Sequence, residues 1–330
     1  RWLKLLSTMP SPLTAAPNFA YDYTASRVSE DERAWLQLDD VVGMLNGAEP
    51  VRAETVDRFH RAFEGCGLLP RVHRCSYGLA EATGFVAASP RGEPPRRAVL
   101  DRDALAAGYA RAAERGQAPS TTLVSCGRPT QQRVRVVDPE LLRPLPDGQV
   151  GEVWVSGPNV ARAYWGDNPR NAHTFGAVLS GEAPQSASWL RTGDLGVFHR
   201  GELYVTGRTK DLIIVDGRNH YPQDVEETVT RSHDVLRPHH TAAFAVTLPT
   251  GEGMVVLAER SRRVEPADID VAGVEMAVRT AVSRDHAVGV HDFLLLEPGE
   301  VPRTSSGKVA RSAARERYLA SALLRCGATL

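Results

Sequence analysis

The sequence predicts an α/β protein in two parts, a larger one through residue 207 and a smaller α+β unit over residues 208–330. Three observations carry this reading. At 330 residues the chain is long enough for two domains with cores of their own. The apolar run Val41-Val42-Gly43-Met44-Leu45 reads as a buried strand, and the helix after it places Val56, Phe59 and Phe63 at i, i+3 and i+7, a core-facing stripe ended by Gly65 and Gly67. Beyond the polar joint Thr209-Lys210-Asp211, strand and helix patterns alternate again in a shorter segment.

Composition narrows the function classes. The 39 basic and 40 acidic residues leave a net charge of -1, so no whole-chain field draws the protein to nucleic acid or anionic lipid. Cys66, Cys75, Cys126 and Cys326 lie far apart without a CxxC pair, which argues against a disulfide framework or a zinc site. A cytoplasmic, reducing setting is the simplest expectation. No apolar run approaches the roughly 18 residues that span a bilayer, so no integral membrane association is expected. The apolar part of RWLKLLSTMPSP is too short for a signal peptide. His220 and His239-His240 have no carboxylate or cysteine at ligand spacing, and neither GxSxG nor HExxH occurs.

Taken in order, the chain opens on Arg1-Trp2-Leu3-Lys4-Leu5-Leu6, the pattern of a helix already under way without a cap, which implies that part of the protein lies upstream. Phe19 follows in an aromatic cluster beside Pro17 and reads equally well as core or as pocket wall. The strand at 41–45 delivers Asn46-Gly47-Ala48-Glu49-Pro50 at its carboxyl end, where open α/β sheets bind ligands and small residues admit a flat ring. In Cys75-Ser76-Tyr77-Gly78-Leu79-Ala80-Glu81-Ala82-Thr83, Tyr77 offers an aromatic face and Gly78 a close backbone approach. Glu81 offers the hard oxygen that Mg²⁺ prefers when it bridges to phosphates, although alone it reads as a solvated glutamate. Residues 88–120 are rich in Pro, Arg and Ala, with one helix expected over 103–115. The interleaved acids and the lone aromatic Tyr109 argue against a nucleic-acid role for its arginines.

Strands are expected at 133–137, 151–156 and 201–205, separated by Asp138-Pro139 and Pro146-Asp147-Gly148, in a small barrel-like subdomain; residues 181–188 read as loop. Within Thr192-Gly193-Asp194, an ionised carboxylate accepts from a vicinal diol, and Arg208 supplies a planar fork of donors for phosphate or sugar oxygens. Asp216-Gly217 is a tight-turn signal, and Tyr221-Pro222 a helix entry. Strands at 242–246, 254–259 and 291–296 and helices at 271–282 and 311–324 complete the second unit. Lys308 sits on the Ser/Gly-rich loop Val301-Pro302-Arg303-Thr304-Ser305-Ser306-Gly307-Lys308, where an ammonium can meet developing negative charge. A GxxxxGK[ST] reading fails at Pro302 and Val309.

The succession NGAEP, YGLAEAT, TGD, GRTKD and PRTSSGK resembles the adenylate-forming enzyme superfamily. The version IIVDGRNHYPQDVE is narrower and resembles the fatty acyl-AMP ligases; acyl-CoA synthetases usually carry a lysine near Ile214 and a KGxxIxPxEIE pattern. The resemblance implies that residues 1–207 are the C-terminal half of the large AMP-binding domain. An insertion at about 88–120 would sit against the C-terminal domain and restrict its rotation, and residues 208–330 would be the mobile C-terminal lid domain. The missing half would carry the Ser/Thr/Gly-rich loop that grips ATP triphosphate. By the same resemblance Phe19 lines the acyl pocket, Gly47, Ala48, Glu49, Tyr77 and Gly78 meet adenine, Asp194 and Arg208 hold ribose, Glu81 binds Mg²⁺, Lys210 is the hinge and Lys308 is catalytic. The implied reaction converts ATP and a fatty acid to acyl-adenylate and pyrophosphate, for transfer to an acyl carrier protein or polyketide synthase carrier domain. Two departures stand out: Ala80 replaces a hydroxyl common elsewhere in the superfamily, and Ala163 stands where GPxxARGYW has Gly. An acyl-CoA synthetase of the same fold and a non-catalytic AMP-binding remnant are the alternatives.

Overall fold

The structure is a computed structural model that describes residues 1–114, 119–166, 168–183, 188–249, 251–305, 307–323 and 325–326. It divides into two compact units, Arg1–Thr206 and Gly207–Leu330.

In the first unit, α1 (Trp2–Leu6) leads into β1 (Leu13–Ala16), α2 (Asn18–Arg27), α3 (Glu30–Arg33), β2 (Gly43–Asn46), α4 (Ala53–Phe63), β3 (His73–Tyr77) and β4 (Ala87–Ala88). Then come β5 (Arg97–Asp101), α5 (Arg102–Ala106), β6 (Ser120–Val124), β7 (Arg128–Pro129), β8 (Arg133–Val137), β9 (Gly151–Ser156), α6 (Asn171–Thr174), β10 (Leu190–His199) and β11 (Glu202–Arg208). One sheet has the order β1-β2-β3-β4-β7, with β1, β2 and β3 parallel and the last two joined antiparallel. Ala16 pairs with Asn46 and Asn46 with Cys75, so the carboxyl ends of three strands finish level along one edge. Helices α2 and α4 pack together, and the stripe read from the sequence closes their core. Val56, Phe59 and Phe63 are buried, and the Phe59 ring meets Tyr21 edge-on at 5.0 Å and Phe63 at 4.9 Å. Gly67 ends the following 3-10 turn in the left-handed region at φ 82°, which glycine adopts without a Cβ penalty.

A second sheet, antiparallel and ordered β11-β10-β9-β8, packs Val134, Val153, Val155, Leu190 and Leu203 against Tyr77, Ala82 and Ala87. The excursion at 88–120 departs from expectation. Its helix is α5 alone, capped by the Asp101 carboxylate accepting from Ala104 N at 2.8 Å, and Gly108 turns the chain at φ 88°. Ala110 N then donates to Gly148 O and Val150 N to Gly108 O, both at 2.8 Å. Extended pairing with a neighbouring segment thus overrides the helical propensity of the alanines. Strands β5 and β6 form an antiparallel pair. The expected helix end at Arg115, together with residues 116–118, lies outside the described residues, as do 184–187 of the expected loop.

In the second unit, β12 (Ile213–Val215) and β13 (Arg218–His220) form a hairpin whose two loop residues, Asp216 and Gly217, have φ of 52° and 72°. That is the geometry of a turn matching the twist of its strands. Helix α7 (Pro222–Ser232) opens on Pro222, followed by β14 (Leu236–Leu248), β15 (Gly251–Arg260), α8 (Val271–His286), β16 (Val290–Leu296) and α9 (Arg311–Leu319). Strand β15 pairs antiparallel with β14 and parallel with β16. Alternation along β15 splits two cores: Met254, Val256 and Ala258 join α7 and α8, while Val255 and Leu257 face the α9 side. Helix α9 ends at Leu319; Leu324, its expected end, lies outside the described residues.

Candidate active site

The level strand ends of the first sheet bring three turns side by side: Pro17 to Phe19 after β1, Gly47 to Glu49 after β2, and Tyr77 to Gly78 at the end of β3. Side chains stitch them together. Glu49 Oε1 accepts from Phe19 N at 2.6 Å, supplying α2 with the N-terminal acceptor that Pro17 cannot offer. Asn18 Oδ1 accepts from Arg52 N at 3.2 Å and from Asn46 Nδ2 at 3.4 Å. Ala48 holds a left-handed φ of 67°, a conformation that non-glycine residues adopt at a cost and that recurs at functional sites. Phe19 itself is half-buried.

The two glycines are explained by the chain's own packing. A Cβ on Gly47 would stand 2.7 Å from Ser76 O, and one on Gly78 would stand 2.2 Å from Gly84 O. The sequence points to backbone approach at both positions; the backbone that approaches is that of the neighbouring turn. Gly84 N donates to Leu79 O at 2.8 Å and Val86 N to Tyr77 O at 2.9 Å, folding the segment tightly around Glu81.

The TGD segment reaches the same edge through a bulge. Arg191 pairs with Trp154 and Leu195 with Glu152, so Thr192-Gly193-Asp194 stands opposite the single residue Val153. Gly193 takes φ 69° there. Tyr77, buried on β3, donates its hydroxyl to Asp194 Oδ2 at 2.7 Å, joining motifs 117 residues apart. Burial, reinforced by the Asp194 charge, pushes the Tyr77 phenol well above its usual range and keeps it a donor.

Glu81 is half-buried, and its Oε1 accepts from the Tyr164 hydroxyl at 2.6 Å. That bond to Glu81 raises the Tyr164 pKa, with burial adding to it. Ala161 N donates to Glu81 O at 2.8 Å, Thr83 Oγ1 to Asn159 O at 2.6 Å and Asn159 Nδ2 to Ala82 O at 2.7 Å. The GPxxARGYW-like stretch thus clasps the turn that carries Glu81. Ala163 is exposed, where its extra methyl meets solvent. Tyr164 was not singled out from the sequence; the signal available was its place in that stretch. Among the described residues no group of three or more His, Cys, Asp or Glu side chains could hold a metal. One hard carboxylate suits Mg²⁺ carried chiefly by nucleotide phosphates and water.

The remaining candidates belong to the second unit. Arg208 is the exposed last residue of β11, and Lys210 is exposed in the 3-10 turn Thr209–Asp211. Lys308 is half-buried on a loop closed by the antiparallel bridge Arg303 to Val309. Thr304 N donates to Lys308 O at 2.8 Å, Lys308 N to Thr304 Oγ1 at 3.2 Å and Arg303 Nη1 to Gly307 O at 2.6 Å. Ser306 lies outside the described residues. Three residues beyond Lys308, Arg311 donates to both oxygens of buried Glu226, at 2.6 and 2.7 Å, and reaches Asp211 at 3.4 Å. The terminal loop and the Thr209–Asp211 turn are therefore braced by one guanidinium. A cavity of about 480 Å³ lies elsewhere in the first unit, lined by Arg96, Arg97, Arg200, Glu202 and Tyr204 among others, and it contains none of these candidates.

Residues 2–165 match the family described as AMP-binding enzyme, and residues 210–326 match that described as Disco-interacting protein 2-like, AMP domain. A long-chain-fatty-acid–AMP ligase of Mycobacterium marinum is 40% identical over 335 residues, covering 100% of this chain and 57% of the relative. The chain therefore spans little more than half the length of the curated relatives it matches. A solved structure from work on fatty acyl-adenylate ligases of E. coli and L. pneumophila is 30% identical with a TM-score of 0.83, covering 97% of this chain and 55% of that one. The fatty acyl-adenylate ligase of L. pneumophila in complex with acyl adenylate and pyrophosphate is 37% identical with a TM-score of 0.61, covering 96% of this chain and 55% of that one. No helix among the described residues is long and apolar enough to cross a membrane. With both units matched by AMP-binding families and 40% identity to a fatty acyl-AMP ligase along its whole length, the chain belongs to the AMP-binding enzyme family.

Proposed function

We propose that the chain forms part of a ligase that activates a fatty acid. The carboxylate oxygen attacks the α-phosphorus of ATP, the bond to the bridging oxygen breaks, and acyl-adenylate and pyrophosphate result. Such chemistry is mainly positioning and electrostatic stabilisation, which fits a site of fixed turns and charged side chains without a covalent nucleophile. The observation that carries the reading is the Tyr77–Asp194 hydrogen bond, which holds an acceptor for a ribose diol beside the strand ends that carry Gly47 to Glu49. Asp194 and Arg208 take the ribose, Tyr77, Gly78 and the Gly47 to Glu49 backbone take the adenine, and Phe19 faces the acyl chain. Glu81 fits Mg²⁺, which when bound neutralises phosphate charge. Lys308 brings its ammonium to the charge shared by carboxylate and α-phosphate, with Lys210 as the pivot. The acyl group then passes to the phosphopantetheine thiol of an acyl carrier protein or a polyketide synthase carrier domain.

The test has two arms. Calorimetry with AMP on this chain should show binding that Asp194→Asn weakens. Pyrophosphate release should be measured with ATP, Mg²⁺ and a long-chain fatty acid in a chimaera in which this chain replaces the matching 57% of the M. marinum ligase. Lys308→Ala should cost about 100 to 1000 fold in turnover, by analogy with removing one oxyanion donor. Turnover unchanged by that substitution would refute the catalytic role. Faster acylation of free CoA than of a carrier protein would make the enzyme an acyl-CoA synthetase of this fold. AMP binding without pyrophosphate release in an otherwise folded chimaera would leave a nucleotide-binding remnant.

A further inference from the structure

We propose that Glu152 is a positioning residue that sets the Thr192-Gly193-Asp194 bulge and so aims the Asp194 carboxylate at Tyr77 and the strand ends. Glu152 lies in β9 on the same face of the strand as the buried Trp154, and is itself only 3% exposed. A buried carboxylate needs donors on both oxygens. Oε1 accepts from Gly193 N at 3.0 Å. Oε2 accepts from Arg191 Nε at 3.0 Å and Trp154 Nε1 at 2.9 Å, and lies 2.8 Å from Arg191 Nη2. The Arg191 guanidinium rests over the Trp154 ring at 5.3 Å from its centroid, which fixes the cation.

These bonds start where the strand pairing shifts. Arg191 is the last residue in the first register, and Gly193 is the centre of the bulge. Thr192 Oγ1 donates to Val153 O at 2.6 Å and in turn accepts from Asp194 N at 3.1 Å, leaving Glu152 as the side chain that holds the Gly193 amide between them. Two residues of slip here would carry Asp194 along the strand and away from its 2.7 Å bond with Tyr77. Glu152 touches neither Tyr77 nor the strand ends through any of these bonds; it acts through the backbone of the bulge.

The inference rests on the reading of Asp194 as a ribose acceptor, and the experiment separates the two. In Glu152→Gln the shape is kept but one acceptor oxygen becomes an amide donor, so the Gly193 amide or the Arg191–Trp154 pair loses its partner. AMP affinity is measured by calorimetry for the wild-type chain, Glu152→Gln, Asp194→Asn and the double variant, well below their unfolding temperatures. Phe63→Leu, in the α2–α4 core, serves as a control that loosens the same unit away from the bulge. Glu152→Gln should weaken AMP about tenfold or more, Asp194→Asn by a similar factor, and the double variant no further. Amide exchange at Gly193 should quicken in Glu152→Gln and not in Phe63→Leu. If Asp194→Asn weakens AMP while Glu152→Gln does not, the positioning role is overturned and the ribose reading stands. If the chain binds no AMP or Asp194→Asn is silent, the ribose reading falls. The exchange at Gly193 then decides the positioning role: unchanged protection in Glu152→Gln overturns it, and lost protection upholds it.

Discussion

Acid should unfold the first unit through two histidines, His73, which is buried, and His60, which is half-buried with both ring nitrogens out of solvent. His73 lies at the start of β3 and His60 on α4, their rings 5.2 Å apart and packed against Phe59. Both ring nitrogens of His60 and Nδ1 of His73 are buried with no hydrogen-bond partner among the described residues. Burial pushes the His60 pKa down to about 4, with Asp57 opposing and Arg97 assisting. Burial pushes His73 down to about 3, with His60 and Arg97 assisting. Because both folded values lie below the unfolded value near 6.5, the unfolded chain takes up protons that the folded chain refuses. Stability is complete above that value and is lost as pH falls toward 4. From pH 7 to pH 5 each histidine should cost about 2 kcal/mol and the pair about 4 kcal/mol, a large part of the 5 to 15 kcal/mol typical of a domain. All five tryptophans lie within residues 1–206, so urea titrations followed by tryptophan fluorescence report this unit alone. Replacing both histidines by Phe removes the Asn46–His73 contact at 3.1 Å and shifts absolute stability, so the readout is the slope with pH. An acid slope that is the same in the double variant and the wild type would refute the argument. Of the other histidines with lowered values, His199, pushed down chiefly by burial, lies in the first unit and remains in the double variant, so it adds the same slope to both proteins; His220 and His240 act on the second unit, and Asp57, whose pKa is lowered chiefly by its bond to Arg97, titrates below this window.

Two further substitutions test the packing directly. Gly78→Ala would set a methyl 2.2 Å from Gly84 O and should destabilise the first unit by about 1 to 3 kcal/mol, read from the urea midpoint; an unchanged midpoint would mean that the turn around Glu81 is loose. Arg311→Met should strand the Glu226 carboxylate, 6% exposed, and cost the second unit about 3 to 5 kcal/mol in calorimetric unfolding, while tryptophan fluorescence of the first unit stays put.

Much of the architecture was legible because it rests on local chemistry. Val56, Phe59 and Phe63 read as one helix face and are one. Asp216-Gly217 reads as a tight turn and both residues take positive φ. Asp194 and Lys308 read as candidate site residues from their place in the family motifs, and the first of them meets Tyr77. What stayed hidden depends on partners distant in sequence. The alanines of 104–113 favour a helix, yet Gly108 and Ala110 are drawn into pairing with Gly148 and Val150, which no local propensity registers. Glu152 shares its face of β9 with Trp154, and both are buried there by partners far along the chain, which the residue types of the strand do not announce. Gly47 and Gly78 signal close approach without saying of what; the neighbours are the backbones of Ser76 and Gly84.

The motifs that read as separate signatures are joined by hydrogen bonds in the first unit. Tyr77 holds Asp194, and the turn after Tyr77 carries Glu81, which Tyr164 holds. Three stretches separated by 83 and 117 residues are thus fixed by two hydroxyl-to-carboxylate bonds of 2.6 and 2.7 Å, the short range expected when the acceptor is ionised. Each bond fixes the position of one carboxylate, Asp194 in one case and Glu81 in the other. The bonds also make the motifs energetically interdependent. Loosening the turn between Tyr77 and Gly84 moves the donor for Asp194 and the backbone under Glu81 together, so substitutions in the three stretches should not add as independent changes do.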